Sequence, residues 1–264
     1  MSKASRSVPS SSGSRPRSGT PLALVGFDTA TADTAACAWR DGEVLHESLL
    51  GPSEEGPRHA TALLAEVEHC AAAAGGWDGV ERLAVGLGPG SFTGLRIGIA
   101  TARGLSASLG LPVSGVCTLD AIAYGMDETT GSIVPLPDIA RQKNSGNLAV
   151  LDARRGEVFA ALYSEQGERV WEPFVCRPEE LVERVAALPV PPPAAGSGAV
   201  RFRHELARHG VQIADDADPV HRVAARHICA LAAASPDGGP LAPIYLRPPD
   251  AERWRERNSF QRPE

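Results

Sequence analysis

The chain has 264 residues, 43% of them hydrophobic and 22% charged, enough for one large or two ordinary globular domains with a buried core, which excludes disorder throughout. Its apolar stretches are broken by Gly, Pro, Ser or Asp well short of a bilayer's thickness, so a soluble protein without membrane association is expected. Net charge is −6, and residues 1–20 carry Lys3, Arg6, Arg15 and Arg17 with no acid, so the remainder is more acidic still. Such a body cannot supply the basic stripe from which nucleic-acid binders draw their affinity, and any nucleic acid would need another subunit.

Residues 1–20 mix Ser, Pro, Gly and Arg without apolar periodicity, which reads as a disordered tail, with an organellar transit peptide as the other reading. Ordered structure is predicted to begin at Leu22, where LALVGF closes on Asp28. ATADT then supplies turn chemistry, AACAW a strand, Asp41-Gly42 a turn and EVLHESLL a third strand, making a meander. Between His59 and Ala74 the residues Leu63, Val67, Cys70 and Ala74 step by four, three and four, one face of a helix that Gly75-Gly76 ends. VERLAVGLG is a buried strand, Pro89 onward opens a helix to about Leu109, PVSGVC is a strand, and a further helix starts near a capping Thr118. Five cysteines, at 37, 70, 117, 176 and 229, never form a C-x-x-C pair, which argues against a disulfide framework or thiolate zinc site and fits a reducing cytoplasm.

NLAVLDARRGEVFAALYSEQGERV repeats the opening plan: an apolar run ending in Asp, a polar turn, an Ala-rich strand with an aromatic, then a Gly-containing turn. Asp28 to Trp39 and Asp152 to Tyr163 are both eleven residues. An internal duplication is expected, a chance match of two amphiphilic hairpins being the alternative. The fold class is therefore α/β with two lobes, divided as a tail at 1–20, a first lobe at 21–128, a second at 129–250 and a polar tail at 251–264. PVPPPAAGSG, residues 189–198, reads as punctuation.

The most informative stretch is GLGPGSFTGLRIGIATARGLSASLG, residues 86–110, where a buried strand empties into a Gly-rich loop and then a helix. Gly88, Gly90, Ser91, Thr93 and Gly94 form a candidate phosphate or anion loop: the glycines let the backbone turn, and Ser91 or Thr93 can cap the first amides. Neither the G-x-G-x-x-G nor the Gly-Lys phosphate fingerprint is satisfied. Inside the helix Gly94 and Gly98 share a stripe with Ala102. A helical glycine costs about 1 kcal/mol against Ala, so the stripe implies a close approach, for which the helix at 59–74 is the natural neighbour.

Asp28 and Asp152 each end a strand beside a turn, where a carboxylate can hold magnesium or orient water, or can merely cap an Asx turn. Arg154 and Arg155 beside Asp152 and Glu157 can pair with those acids, and Arg96 and Arg103 can meet an anion or a partner, or stay solvated. No histidine has another three or four residues away, so no metal site is expected.

GPGSFTGLRIG, from Gly88 to Gly98, resembles the signature of the TsaB family of tRNA threonylcarbamoyladenosine biosynthesis. FDTAT, DARRGEV at 152–158 and PIYLR at 243–247 are similar to the family's other landmarks, in the same order, while PLPDIARQKNSGN at 135–147 looks like an insertion. The resemblance implies an actin-like ATPase, or ribonuclease H-like, duplicated fold. It implies a non-catalytic scaffold that pairs with a homologous catalytic subunit, TsaD, and with the ATPase TsaE, in forming N6-threonylcarbamoyladenosine at position 37 of tRNAs reading ANN codons. The sister's His-x-x-x-His site has no counterpart here, since Leu63 follows His59 by four.

The expected interface lies on the helices carrying Leu63, Val67, Cys70, Gly94, Gly98 and Ala102, with homodimers through the same face when the partner is absent and tRNA met only through the complex. No cofactor is expected for the chain alone, although ATP or ADP with magnesium can sit at the subunit junction. The rival reading is an active actin-like ATP-dependent phosphotransferase or transferase using Asp28, the Gly88–Gly94 loop and Asp152. A metal-dependent peptidase is a third.

Overall fold

The computed structural model describes residues 22–129, 146–235 and 240–247; both expected tails and most of the insertion at 135–147 lie outside them. Strands β1 (Ala23–Asp28), β2 (Thr34–Arg40) and β3 (Glu43–Leu50) form the expected antiparallel meander, with Ala23 opposite Arg40 and Asp28 opposite Ala35. The β2–β3 connection is tight because Asp41 and Gly42 both take positive φ, 48° and 94°, the backbone a two-residue hairpin requires. Strands β4 (Arg82–Gly86) and β5 (Val113–Val116) add in parallel, giving the order β3-β2-β1-β4-β5.

Strand periodicity splits β1 between two cores. Val25 and Phe27 face α1 (His59–Ala73) and α2 (Phe92–Leu109), joining Leu63, Val67, Cys70, Ile99 and Ala102. Leu24 faces the opposite way, into a cluster with Leu119 and Ile122 of α3 (Thr118–Thr129) and Ile228 and Cys229 of α7 (Ala225–Ala234).

The second sheet repeats the plan. Strands β6 (Asn147–Asp152), β7 (Val158–Tyr163) and β8 (Arg169–Cys176) form a meander, and β9 (Ala194–Ala195) pairs in parallel with β6, giving β8-β7-β6-β9. This matches β3-β2-β1-β4 position for position, so the two halves form the duplicated actin-like α/β fold. Three shorter helices complete the second half: α4 (Pro178–Ala186), α5 (Ser197–Arg201) and α6 (Arg203–Ala207).

Two expectations need correction. PVPPPAAGSG is not mere punctuation, because it holds β9 and opens α5. The stretch at 129–250 is not one lobe, because α7 turns back onto β1 and β2 of the first sheet, where Cys229 Sγ occupies the space that a side chain at Gly26 would need. One cluster therefore runs through both halves, from Leu24 and Ala84 to Ala149, Leu151 and Ala161. Among the described residues no helix is long and apolar enough to cross a membrane, and all five cysteines are free and buried.

Candidate functional site

Beyond β4 the Gly-rich loop is built around its neighbours. A Cβ at Gly86 would collide with the Asp28 carboxylate, one at Gly90 with the Ala30 backbone, and Gly88 sits at a φ of 91°, open only to glycine without strain. Ser91 caps α2, its Oγ accepting from the Gly94 amide at 3.3 Å, while its own amide donates to the Ala30 carbonyl at 2.7 Å. Thr93 is exposed at the first turn. The glycine stripe does need a close neighbour, but that neighbour is mainly the β1–β2 turn rather than α1. A Cβ at Gly94 would enter the Thr29 carbonyl, and one at Gly98 would come within 2.5 Å of Thr29 Oγ1. Thr29 Oγ1 donates to the Gly94 carbonyl at 2.8 Å, tying turn to helix.

Asp28 is fully buried. Its Oδ1 accepts from the Ala30 amide at 2.7 Å and its Oδ2 from the Thr118 hydroxyl at 2.8 Å, while Thr118 Oγ1 accepts from the Gly88 amide at 3.2 Å. Burial pushes its pKa up to about 6, against the lowering effect of the Ala30 and Thr118 hydrogen bonds. Asp28 thus closes its own turn and anchors α3, and it does not reach the cleft described below. His59 is equally structural. It is buried, with Nε2 at 3.1 Å from the Thr31 carbonyl and Nδ1 at 2.9 Å from Thr34 Oγ1. A carbonyl can only accept, so Nε2 carries the proton and Nδ1 accepts from Thr34; burial lowers the ring's pKa.

Between the lobes lies a cleft of about 1030 Å³, entered from one side by Thr93 and Arg96 and from the other by Asp152 and Arg154. Asp152 Oδ1 accepts from the Arg154 amide at 2.8 Å and Oδ2 from Arg201 at 2.7 Å. Arg154 and Arg155 both take left-handed backbone, φ 63° and 56°, ahead of Gly156 at 75°. The Glu157 amide donates to the Arg154 carbonyl at 3.0 Å, so Arg155 and Gly156 form the centre of a tight hairpin turn. Arg155 stands where such turns prefer Asn or Asp, at a strain of roughly 1 kcal/mol. Each carboxylate accepts hydrogen bonds on both oxygens within the chain, Asp28 in the interior and Asp152 at the wall of the cleft.

The six candidate interface residues, Leu63, Val67, Cys70, Gly94, Gly98 and Ala102, are all buried within this chain. The helical period that marked them is the period of a core-facing stripe. The outward faces of the same helices carry Leu64, which is 53% exposed, with Ala65, Glu68 and Ala72 on α1, and Ala100 and Arg103 on α2. Arg96 lies over the Phe92 ring at 3.8 Å, and Arg103 donates to the Leu241 carbonyl.

Sequence reasoning missed three participants. Ser197, on α5, accepts from the Asp152 amide at 3.1 Å; Arg222 pairs with Asp33 across the cleft at 2.8 Å; and residues 244–247 line it. Two had a usable signal: the repeat makes the Gly196-Ser197-Gly198 stretch the counterpart of the loop after β4, and residues 244–247 fall within the PIYLR landmark, to which no site role was attached.

Residues 50–209 match the family described as TsaD: tRNA N6-adenosine threonylcarbamoyltransferase. The tRNA threonylcarbamoyladenosine biosynthesis protein TsaB of Escherichia coli (strain K12) is 34% identical over 174 residues, covering 63% of this chain and 68% of that protein. The protein of the same name from Bacillus subtilis (strain 168) is 36% identical over 84 residues, 32% of this chain and 31% of that one. Among solved structures, YeaZ from Pseudomonas aeruginosa aligns with a TM-score of 0.63 at 26% identity, over 85% of this chain and 100% of that chain. With the duplicated sheet order, the Ser91-capped glycine loop and this identity along most of its length, the chain belongs to the TsaB family.

Proposed function

We propose that this chain is a non-catalytic scaffold subunit of the assembly that forms N6-threonylcarbamoyladenosine at position 37 of tRNAs reading ANN codons. A TsaD-like subunit carries the chemistry, a TsaE-like ATPase joins it, and tRNA is met through the assembly. The observation that carries the non-catalytic reading is the engagement of Asp28 and Asp152. These strand-end carboxylates are the groups an active actin-like transferase would need free, and each has both oxygens engaged within the chain. ATP or ADP with magnesium is assigned to the subunit junction rather than to this chain alone.

Docking is placed on the outward faces of α1 and α2, where exposed Leu64 is bordered by small residues that let another helix approach. In the absence of the partner the same face pairs two copies of the chain. Burying a leucine yields about 1.5–3 kcal/mol, so Leu64→Ala should weaken binding of the TsaD-like subunit about tenfold. Leu64→Glu, which buries a charge, should weaken it at least a hundredfold with unchanged melting temperature. Binding is read by calorimetry, and tRNA modification is assayed with the reconstituted subunits. Modification of tRNA by the isolated chain, or micromolar binding and turnover of magnesium ATP by it, would establish the transferase reading instead.

A further inference from the structure

Residues 240–247 cross from one lobe to the other and are fastened at both ends. Beside α2, Arg103 donates to the Leu241 carbonyl at 2.6 Å. The Ile244 amide then donates to the Leu87 carbonyl at 2.8 Å, at the root of the Gly-rich loop, and the Tyr245 ring packs on Phe92 with centroids 5.2 Å apart. Two residues later the chain is on the second lobe. Arg247 donates to the Ala153 carbonyl at 3.2 Å, pairs with Glu157 and lies 6.0 Å from the Phe159 ring. Only 15% of the Arg247 side chain is exposed, so this pair is shielded from solvent in a way that ordinary surface pairs are not.

The second-lobe anchor is the strained hairpin itself. Ala153 and Glu157 close that turn, the Ala153 amide donating to the Glu157 carbonyl at 3.0 Å, and Arg247 grips both residues from outside. The segment spans too few residues between Tyr245 and Arg247 to absorb a change in the gap, because two residues extend at most about 7 Å. Widening the cleft along this edge must therefore break either the Phe92 and Leu87 contacts or the Arg247 contacts.

We infer that residues 240–247 are an interlobe latch, fastened by Arg247, that makes the flank of α2 and the hairpin at Arg154–Gly156 respond as one unit. A push on α2 is thereby felt at the opposite wall of the cleft. The latch is a property of the isolated chain and stands or falls independently of the proposed partners.

Amide hydrogen exchange on the full chain tests it, each rate being taken relative to the β1 amides so that a uniform loss of stability cancels. Arg247→Ala, which cuts the second-lobe anchor, should speed exchange of the distant Ile244 amide at least tenfold. Phe92→Ala, which cuts the first-lobe anchor, should speed the Ala153 and Glu157 amides at least threefold, because coupling between two sites is reciprocal. Arg103→Ala, an exposed change that leaves the core intact, should do the same to a smaller extent. If each variant loosens only the residues at its own end, the two anchors are independent contacts and the latch is refuted.

Discussion

The glycine stripe on α2 allows a graded test, since three glycines on one helix have three different surroundings. At Gly94 an added methyl would enter the Thr29 carbonyl, a backbone group fixed at the end of β1, with His59 Cδ2 at 3.5 Å behind it. Overpacking against backbone costs about 3 kcal/mol, and forcing apart the Thr29–Gly94 hydrogen bond adds about 1. Alanine's helix propensity returns about 1, so Gly94→Ala should lose about 3 kcal/mol. At Gly98 the obstacle is Thr29 Oγ1 at 2.5 Å, a hydroxyl that can rotate at the cost of its bond, with Val85 Cγ2 at an ordinary 3.7 Å. The net loss there should be about 1 kcal/mol. Gly104 has nothing within 4 Å, so Gly104→Ala should gain about 1 kcal/mol from propensity alone. Urea denaturation of the three variants measures the order directly. A Gly94→Ala protein as stable as wild type, or more stable than Gly98→Ala, would refute the claim that α2 is pressed against the Thr29 turn.

Other outcomes follow from the same geometry. His59→Ala leaves the Thr34 hydroxyl and the Thr31 carbonyl unpaired beside a new cavity and should cost about 2–4 kcal/mol in denaturant, while modification by the reconstituted complex survives at temperatures where the variant stays folded. Asp28 has its folded pKa raised from 3.8 to about 6, so the folded state holds the proton more tightly than the unfolded chain does. Its contribution is therefore fully present below pH 3.8 and is lost as pH rises through about 6. Wild type should accordingly gain about 1 kcal/mol relative to Asp28→Asn between pH 7 and pH 5, and parallel pH profiles for the two proteins would contradict this. Arg169 grips the Asp120 carboxylate of α3 from β8 at 2.7 and 3.0 Å, beside the Tyr163 hydroxyl at 2.6 Å. Partly exposed as it is, Arg169→Ala should cost about 1–2 kcal/mol, an amount that shrinks in high salt when measured by thermal melting.

What the sequence makes legible is what local pattern encodes. The four-three-four steps of Leu63, Val67, Cys70 and Ala74 place α1 to within a residue of its end, and Asp41-Gly42 and Ser91 mark a turn and a cap because the chemistry of each is its own. The failures are all relations between distant segments. Ala194-Ala195 is a strand only because it pairs with β6, and two alanines among prolines carry no period of their own. The Gly94 and Gly98 stripe announces a close neighbour without naming it, and the Thr29 turn is as good a fit as a helix. A buried stripe and a docking stripe share the same spacing, so the period of Leu63 and Val67 does not tell one from the other, and the exposure of Leu64 beside them is visible only in the packed structure.

The repeat makes the case for a scaffold sharper than either half does alone. At the end of β1 and again at the end of β6, an aspartate accepts from the amide two residues on, Asp28 from Ala30 and Asp152 from Arg154, so the turn is common to both lobes. The remaining oxygen is engaged in each, but by unrelated partners: the Thr118 hydroxyl in the first lobe and the Arg201 guanidinium in the second. The two solutions leave different results: the Asp28 carboxylate is buried away from the cleft, whereas Asp152 stands in the cleft wall with the Arg201 guanidinium on one oxygen. A cation held by either carboxylate would compete with a buried hydrogen bond in the first lobe or a partly exposed ion pair in the second. A docking subunit of the kind proposed needs neither carboxylate freed, because its turns have only to hold α2 where its outer face can be used.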